Sequence, residues 1–316
     1  MTEEARPREK SSPARDPAFR RTDALLIALI ILPLAACIVL TVLFTPPSEG
    51  VDISGALIYF EIPAPIQPII ISESQINSWA IMLSLLGVCL YLTHGLSERA
   101  ETKRQLIAEW IVENCEKLVN SNMGERYAGY EYLVAAILGL SAASSLCCLI
   151  GLFSPTGDMN VTAGWAILVF CLVTYSKLQG GVLNYLKGFT EPIVLFTPMN
   201  FVSEFSLPVS MAFRHYGNVL SGAVISTLVG TALRSLSQLL LGWIPVVGTI
   251  PLLQIGLPGI LSIYFDVFSG LMQAFIFAML TMLNVSNGFP QEAWEKRQQK
   301  KAVRKQRAAM AAAGTR

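Results

Sequence analysis

The sequence predicts an all-α integral membrane protein of about six long helices, and three observations carry that prediction. Hydrophobic residues fill 53% of the 316 positions and charged residues only 14%, too apolar a balance for an ordinary soluble domain. The apolar residues are gathered into uncharged runs at 24–44, 74–95, 132–157 and 159–176. Each is long enough, or nearly so, to cross a hydrocarbon core of roughly 30 Å. Third, between positions 193 and 291 only four charges occur: Glu204, Arg214, Arg234 and Asp266.

The net charge of +1 says little, but the placement of Lys and Arg sets an orientation. Six precede the first span, five fall between Arg99 and Arg126, and eight follow the last span. The stretch 45–77 has none, yet carries Glu49, Asp52, Glu61 and Glu73. Short segments rich in Lys and Arg stay on the cytoplasmic side. Both termini and the segment 97–130 are therefore expected inside, and 45–75 outside.

Each element follows in order. Residues 1–23, charged and Pro-containing, read as a disordered cytoplasmic tail. The run 24–44 reads as an extra transmembrane helix, kinked at Pro33 and ended by Pro46-Pro47. Arg20-Arg21 before it and Leu34-Ala35-Ala36-Cys37 within it resemble a processed leader. Its length of about 21 apolar residues is a full span and not a short signal core, so it is read as retained. The external segment 45–75 contains short extended pieces interrupted by Pro63, Pro65 and Pro68. A transmembrane helix is expected over 76–96, with Trp79 and Tyr91 as interface anchors.

The segment 97–130 differs. Residues 100–122 alternate charges with Leu106, Ile107, Trp110, Ile111, Leu118 and Val119 at helical spacing. This is an amphipathic helix, suited to the inner membrane face or to packing on the protein itself. A transmembrane hairpin follows over 131–179, turning externally at 154–158, with Lys177 marking the return inside. Residues 180–289 hold two apolar stretches, about 197–243 and 251–289, each longer than one crossing. They predict a C-terminal pair of strongly tilted, membrane-embedded helices. Residues 290–316 form a basic cytoplasmic tail. The six cysteines, without a CxxC or a His at ligand spacing, read as buried small hydrophobes and not as a metal site.

Arg214 carries the chemistry. A guanidinium within an apolar helix costs several kcal/mol and keeps its proton at physiological pH, so it persists only opposite a partner or a wet cavity. On a helix Ser210, Gly217, Asn218 and Ser221 share its face, a polar stripe whose small members would let another helix approach. The last helix shows a matching stripe of Ser262, Asp266, Ser269 and Gln273, continued by Thr281 and Asn284. Two polar stripes on apolar helices suggest an aqueous path or a buried seam between them. Glu204 and Asp158 are lone carboxylates in apolar surroundings, either proton carriers or groups solvated at the interface. Arg234 reads as snorkelling near its helix end. His94 and His215 are of a type that titrates near neutral pH.

These residues resemble a family. SEFSLPVSMAFRHYGNVLSG (203–222), a Pro-containing run leading to Arg and then after two residues to Gly-Asn, is similar to the signature of F-type ATP synthase subunit a. LMQAFIFAMLTML (271–283) resembles that family's C-terminal helix. PTGDMNVT (155–162), YLKGFTEPI (185–193) and LVNSNMGERY (118–127) match weaker family patterns in the expected order, so the resemblance covers roughly 76–287.

The resemblance implies an ion-translocating membrane subunit with no catalytic centre and no cofactor of its own, carrying H⁺ or Na⁺. Its implied partners are the c-subunit ring, the b-subunit peripheral stalk and the remaining synthase subunits, in a bacterial plasma membrane. Arg214 would be the essential stator arginine separating two half-channels, and Gln273 its neighbour on the last helix. Asn218, Asp266 and Asp158 would flank the outer half-channel, and Glu204 the inner one. His215-Tyr216 stands where Leu-Phe is usual, and Leu207 where Lys is common. Ala223 stands where some members carry Glu, and Asp266 where those members carry His. The rival readings are a stand-alone channel or secondary transporter using the same Arg, and a non-conducting membrane scaffold. The transporter reading is weakened by the lack of an internal repeat. No phosphate-binding GxxxxGK[ST] loop or nucleic-acid signature is present.

Overall fold

The computed structural model describes residues 17–45, 55–65, 68–96, 102–127, 129–190, 193–241, 256–292, 295–296 and 299. Helix α1 (Pro17–Phe44) begins earlier than the sequence suggested and continues as helix past Pro33. The expected tail 1–23 is therefore helical in its last seven residues, while 1–16 and 300–316 lie outside the described residues. Strands β1 (Ile58–Ile62) and β2 (Ile69–Ser72) form the extended pieces expected outside, paired antiparallel with Phe60 opposite Ile71.

Helix α2 (Glu73–Thr93) follows β2 directly, and α3 (Lys103–Met123) is the amphipathic helix. The hairpin is α4 (Glu131–Leu146) and α5 (Met159–Leu178), joined through short 3-10 turns. A short α6 (Val182–Thr190) leads to α7 (Thr197–Leu241), and the chain closes with α8 (Leu257–Ser262) and α9 (Gly270–Asn287). Between α8 and α9 the backbone widens into a π-helical segment, Ile263–Ser269.

Among the described residues, six helical stretches are long and apolar enough to cross a membrane: Arg21–Phe44, Glu73–Thr93, Glu131–Ile150, Met159–Leu178, Val194–Leu240 and Gly259–Asn287. At 1.5 Å per residue the 45 residues of α7 extend about 68 Å, more than twice a hydrocarbon core. A helix of that length must tilt strongly or run partly in the membrane plane. Pro208 sits inside it, removing the hydrogen bond that the Glu204 carbonyl would otherwise accept.

The main core gathers one face from each of five helices. Val119 and Met123 of α3, Val134 and Ile137 of α4, and Val169 and Val173 of α5 meet Met211 and Ala212 of α7 and Phe277, Ala278 and Met282 of α9. Helix α3 thus packs on the protein through Cys115, Val119 and Met123. Leu106, Ile107, Trp110 and Ile111 stay exposed as a second apolar face. A smaller cluster of Cys37, Ala80, Ile81, Cys147 and Leu152 joins α1 and α2 to the end of α4. Helix α1 is also tied by Ser84 Oγ donating to the Ile30 carbonyl at 2.8 Å and Thr41 Oγ1 donating to Glu73 at 3.0 Å. The cysteines divide: Cys37, Cys115 and Cys147 are buried as expected, Cys148 is half-buried, and Cys89 and Cys171 are exposed on their helices.

Candidate ion-translocation site

The site is built where α7 passes α4, α5 and the last helix. Arg214 lies in mid-α7 and is exposed. Among the described residues it has no hydrogen bond or ion pair, although a guanidinium offers five donors. The next residue faces the opposite way: His215 is only 1% exposed. Its Nε2 lies 3.3 Å from Ser141 Oγ of α4, and its ring meets Trp165 of α5 and Phe277 of α9 edge-on at 5.8 and 5.4 Å. Its Nδ1 is buried with no hydrogen-bond partner among the described residues. The 100° step between successive helical residues produces this division, placing one of the pair in the core and the other outside it.

Asn218, one turn beyond Arg214, joins α7 to the π segment. Ser269 Oγ donates to Asn218 Oδ1 at 2.7 Å, and Asn218 Nδ2 donates to the Ser269 carbonyl at 3.4 Å. Asp266 is half-buried within the same π segment. The sequence reading placed Ser262, Asp266, Ser269 and Gln273 on one face by counting 3.6 residues per turn. The i→i+5 winding of Ile263–Ser269 breaks that count, because each wider turn holds an extra fraction of a residue. Ser269 turns to Asn218, while Gln273 is buried in α9. A π segment inside a membrane helix often accompanies function.

The expected close approach through small residues is made within this chain at Gly222. A Cβ at Gly222 would lie 3.1 Å from Phe265 Cβ, so α7 does meet the π segment there. A Cβ at Gly217 would meet nothing within 4 Å, and Ser210 and Ser221 are exposed. Among the described residues, the Arg214 face of α7 is therefore open. A tighter contact lies at Gly270, where a Cβ would come within 2.5 Å of Ser145 Cβ, so the bare backbone of α9 meets the Ser145 side chain of α4.

The two carboxylates read as lone are both partnered. Asp158 caps α5 by accepting from the Asn160 N–H at 2.9 Å, and its other oxygen accepts a hydrogen bond from Ser74 Oγ of α2. Next to it Ser144, Ser154 and Thr156 form a buried hydroxyl cluster, and Asn77 donates to the Phe153 carbonyl at 2.9 Å. Glu204 is gripped by Lys177 of α5, whose Nζ lies 2.7 and 2.6 Å from its two oxygens. Tyr185 of α6 donates to the same carboxylate at 3.3 Å. Burial, and then the Glu204 carboxylate beside it, raise the Tyr185 phenol above its usual range, which keeps its proton available for that bond. Asp158 and Glu204 belong to two separate polar clusters, neither in contact with Arg214.

Sequence reasoning missed Ser74, Ser141, Tyr185 and Lys177 as parts of the site. Lys177 had a signal: it is the single cation between Arg126 and Lys187, and Glu204 is the first acid in the tilted stretch. Two opposite charges isolated in apolar sequence favour pairing.

Comparison with known proteins identifies the family. The family model for the ATP synthase A chain matches residues 76–286. ATP synthase subunit a of Bacillus pumilus is 31% identical over 225 residues, covering 66% of this chain and 89% of its own. The Desulforamulus reducens subunit a is 30% identical over 225 residues, covering 70% and 80%. A relative from Propionigenium modestum, described as a sodium ion specific subunit a, is 28% identical over 232 residues, covering 68% and 73%. These matches favour the stator reading over a stand-alone channel or transporter. The chain belongs to the ATP synthase A chain family and is an ion-translocating membrane subunit of that complex.

Proposed function

We propose that this chain supplies two half-channels for protons and the fixed positive charge between them, set against a c-subunit ring in a bacterial plasma membrane. The observation that carries the reading is Arg214, exposed on α7 without a partner among the described residues, beside an open Gly217. A permanent cation at membrane depth with an open face is suited to a carboxylate arriving from another subunit.

The proposed cycle starts on the outside, near Asp158 and Asp266. A proton passes to a ring carboxylate, which becomes neutral and can enter lipid, where the charged form would cost far more. After nearly a full turn the carboxyl group meets Arg214, whose charge favours the carboxylate, and the proton leaves towards Glu204 and the inner side. Asn218, His215 and Gln273 line the turns around the arginine. Both termini and α3 are assigned to the inner side from the Lys and Arg distribution. The b-subunit stalk would hold the chain against rotation, and a potential of 100 mV contributes about 2.3 kcal/mol per proton. No cofactor is assigned to this chain, and Na⁺ in place of H⁺ would leave the arginine's role unchanged.

The test is Arg214→Ala with ATP-driven proton pumping in inverted membrane vesicles, alongside a check that the complex assembles. Pumping is expected to be lost with assembly intact. Undiminished pumping would overturn the reading.

A further inference from the structure

A second polar compartment lies away from Arg214, in a cavity of about 500 Å³ among α5, α6, α7 and the end of α9. Oxygen-bearing side chains line it: Ser203 and Glu204 with Asn200 from α7, Asn184 and Tyr185 from α6, and Asn287 from α9. A carboxylate backed by amide and hydroxyl oxygens is the donor set that hard metal cations take. The seat such a cation would occupy, between the two carboxylate oxygens, is filled by the chain itself. Lys177 Nζ sits 2.7 Å from Oε1 and 2.6 Å from Oε2 of Glu204.

The lysine is held there from behind. A Cβ at Gly288 would lie 3.3 Å from Lys177 Cγ and 3.5 Å from Cε, so the stem runs against the bare backbone where α9 ends. Tyr185 O–H donates to Oε1 and leaves the ammonium to span both oxygens. A cation tethered to the wall cannot diffuse away, and its compact ammonium carries three donors to hold the carboxylate. Without it, a lone carboxylate in a compartment of that volume would recruit a mobile cation from the medium.

We infer that Lys177 is a specificity-determining residue of the inner half-channel: it occupies the cation seat on Glu204 and keeps Na⁺ and K⁺ out of the compartment while water and protons pass. This rests on the proposed assignment of Glu204 to the inner half-channel. The pair is also a restraint, since it links α5 to α7, but a restraint alone would not make transport respond to the identity of the salt.

The experiment uses the whole synthase in inverted vesicles, measuring ATP-driven proton pumping as Na⁺ replaces choline at constant ionic strength. Wild type and Lys177→Arg should be indifferent to the exchange. Lys177→Met should pump several-fold more slowly in Na⁺ than in choline, and Lys177→Met with Glu204→Gln should lose that salt response, since no carboxylate remains to bind the ion. Lys177→Gln serves as the second single variant if Lys177→Met does not assemble. A single variant as indifferent to Na⁺ as wild type, or a double variant as sensitive as the single, would overturn the inference. Failure of the half-channel reading looks different, because Arg214→Ala would then pump undiminished in either salt.

Discussion

Asn218 and Ser269 hold each other across 51 positions of sequence, the hydroxyl donating to the amide oxygen at 2.7 Å and the amide donating back to the Ser269 carbonyl. The pair pins the π segment to α7 one turn beyond Arg214, and so fixes the depth of Asp266 relative to the arginine. Net hydrogen bonds of this kind contribute about 0.5–1.5 kcal/mol each. Asn218→Ala and Ser269→Ala should each slow ATP-driven pumping. Their combination should be no slower than the worse single variant, as expected for residues acting as one unit. Strictly additive losses in a double-mutant cycle would separate them.

Asp266→Asn keeps the size of the side chain and removes its charge and its capacity to ionise. Proton-driven ATP synthesis should fall several-fold, with assembly and ATP hydrolysis by the soluble sector retained. Unchanged synthesis would take Asp266 off the entry path.

His215 separates two effects of one residue. His215→Leu removes a buried nitrogen that lacks a partner among the described residues, a group whose burial costs about 1–3 kcal/mol. It also takes away the Nε2 that Ser141 Oγ meets, so the thermal stability of the detergent-solubilised complex should change little while pumping falls. His215→Ala, which opens a cavity between Trp165 and Phe277, should lower stability by about 2–4 kcal/mol. Full pumping in His215→Leu would assign the imidazole to packing alone.

Gly270→Ala forces a methyl group to within 2.5 Å of Ser145 Cβ. Overpacking at such a contact costs about 1–3 kcal/mol and should separate α9 from α4. The thermal midpoint should drop, and Ser145→Gly in the same chain should recover part of the loss. An unchanged midpoint would mean that the two helices can part without cost.

The spans were legible because an apolar run of about 20 residues leaves a chain few alternatives in a membrane. The Arg214 stripe was legible for a similar reason, since a guanidinium inside such a run needs a purpose. What escaped the sequence depended on distances it does not encode. Glu204 read as solitary because Lys177 stands on another helix, and Asp158 because its partner Ser74 is 84 positions away. The stripe on the last helix was miscounted because nothing in Ile263–Ser269 announces a π segment; every residue there is also at home in an α-helix. The start of α1 at Pro17 was hidden by the charges around it, although proline is well tolerated in a first turn.

The space that the described residues leave over Gly217 has a mechanical consequence. Helices that settle permanently against one another interlock, side-chain knobs filling facing holes, and such a joint resists sliding. Around Arg214, a bare backbone at Gly217 and the exposed hydroxyls of Ser210 and Ser221 offer little bulk for a neighbouring helix to lock against. Long-range charge supplies attraction there without a matching shape, so contact can be made and released many times with little ratcheting. That face is shaped like a bearing, and a bulky substitution at Gly217 would act as a brake.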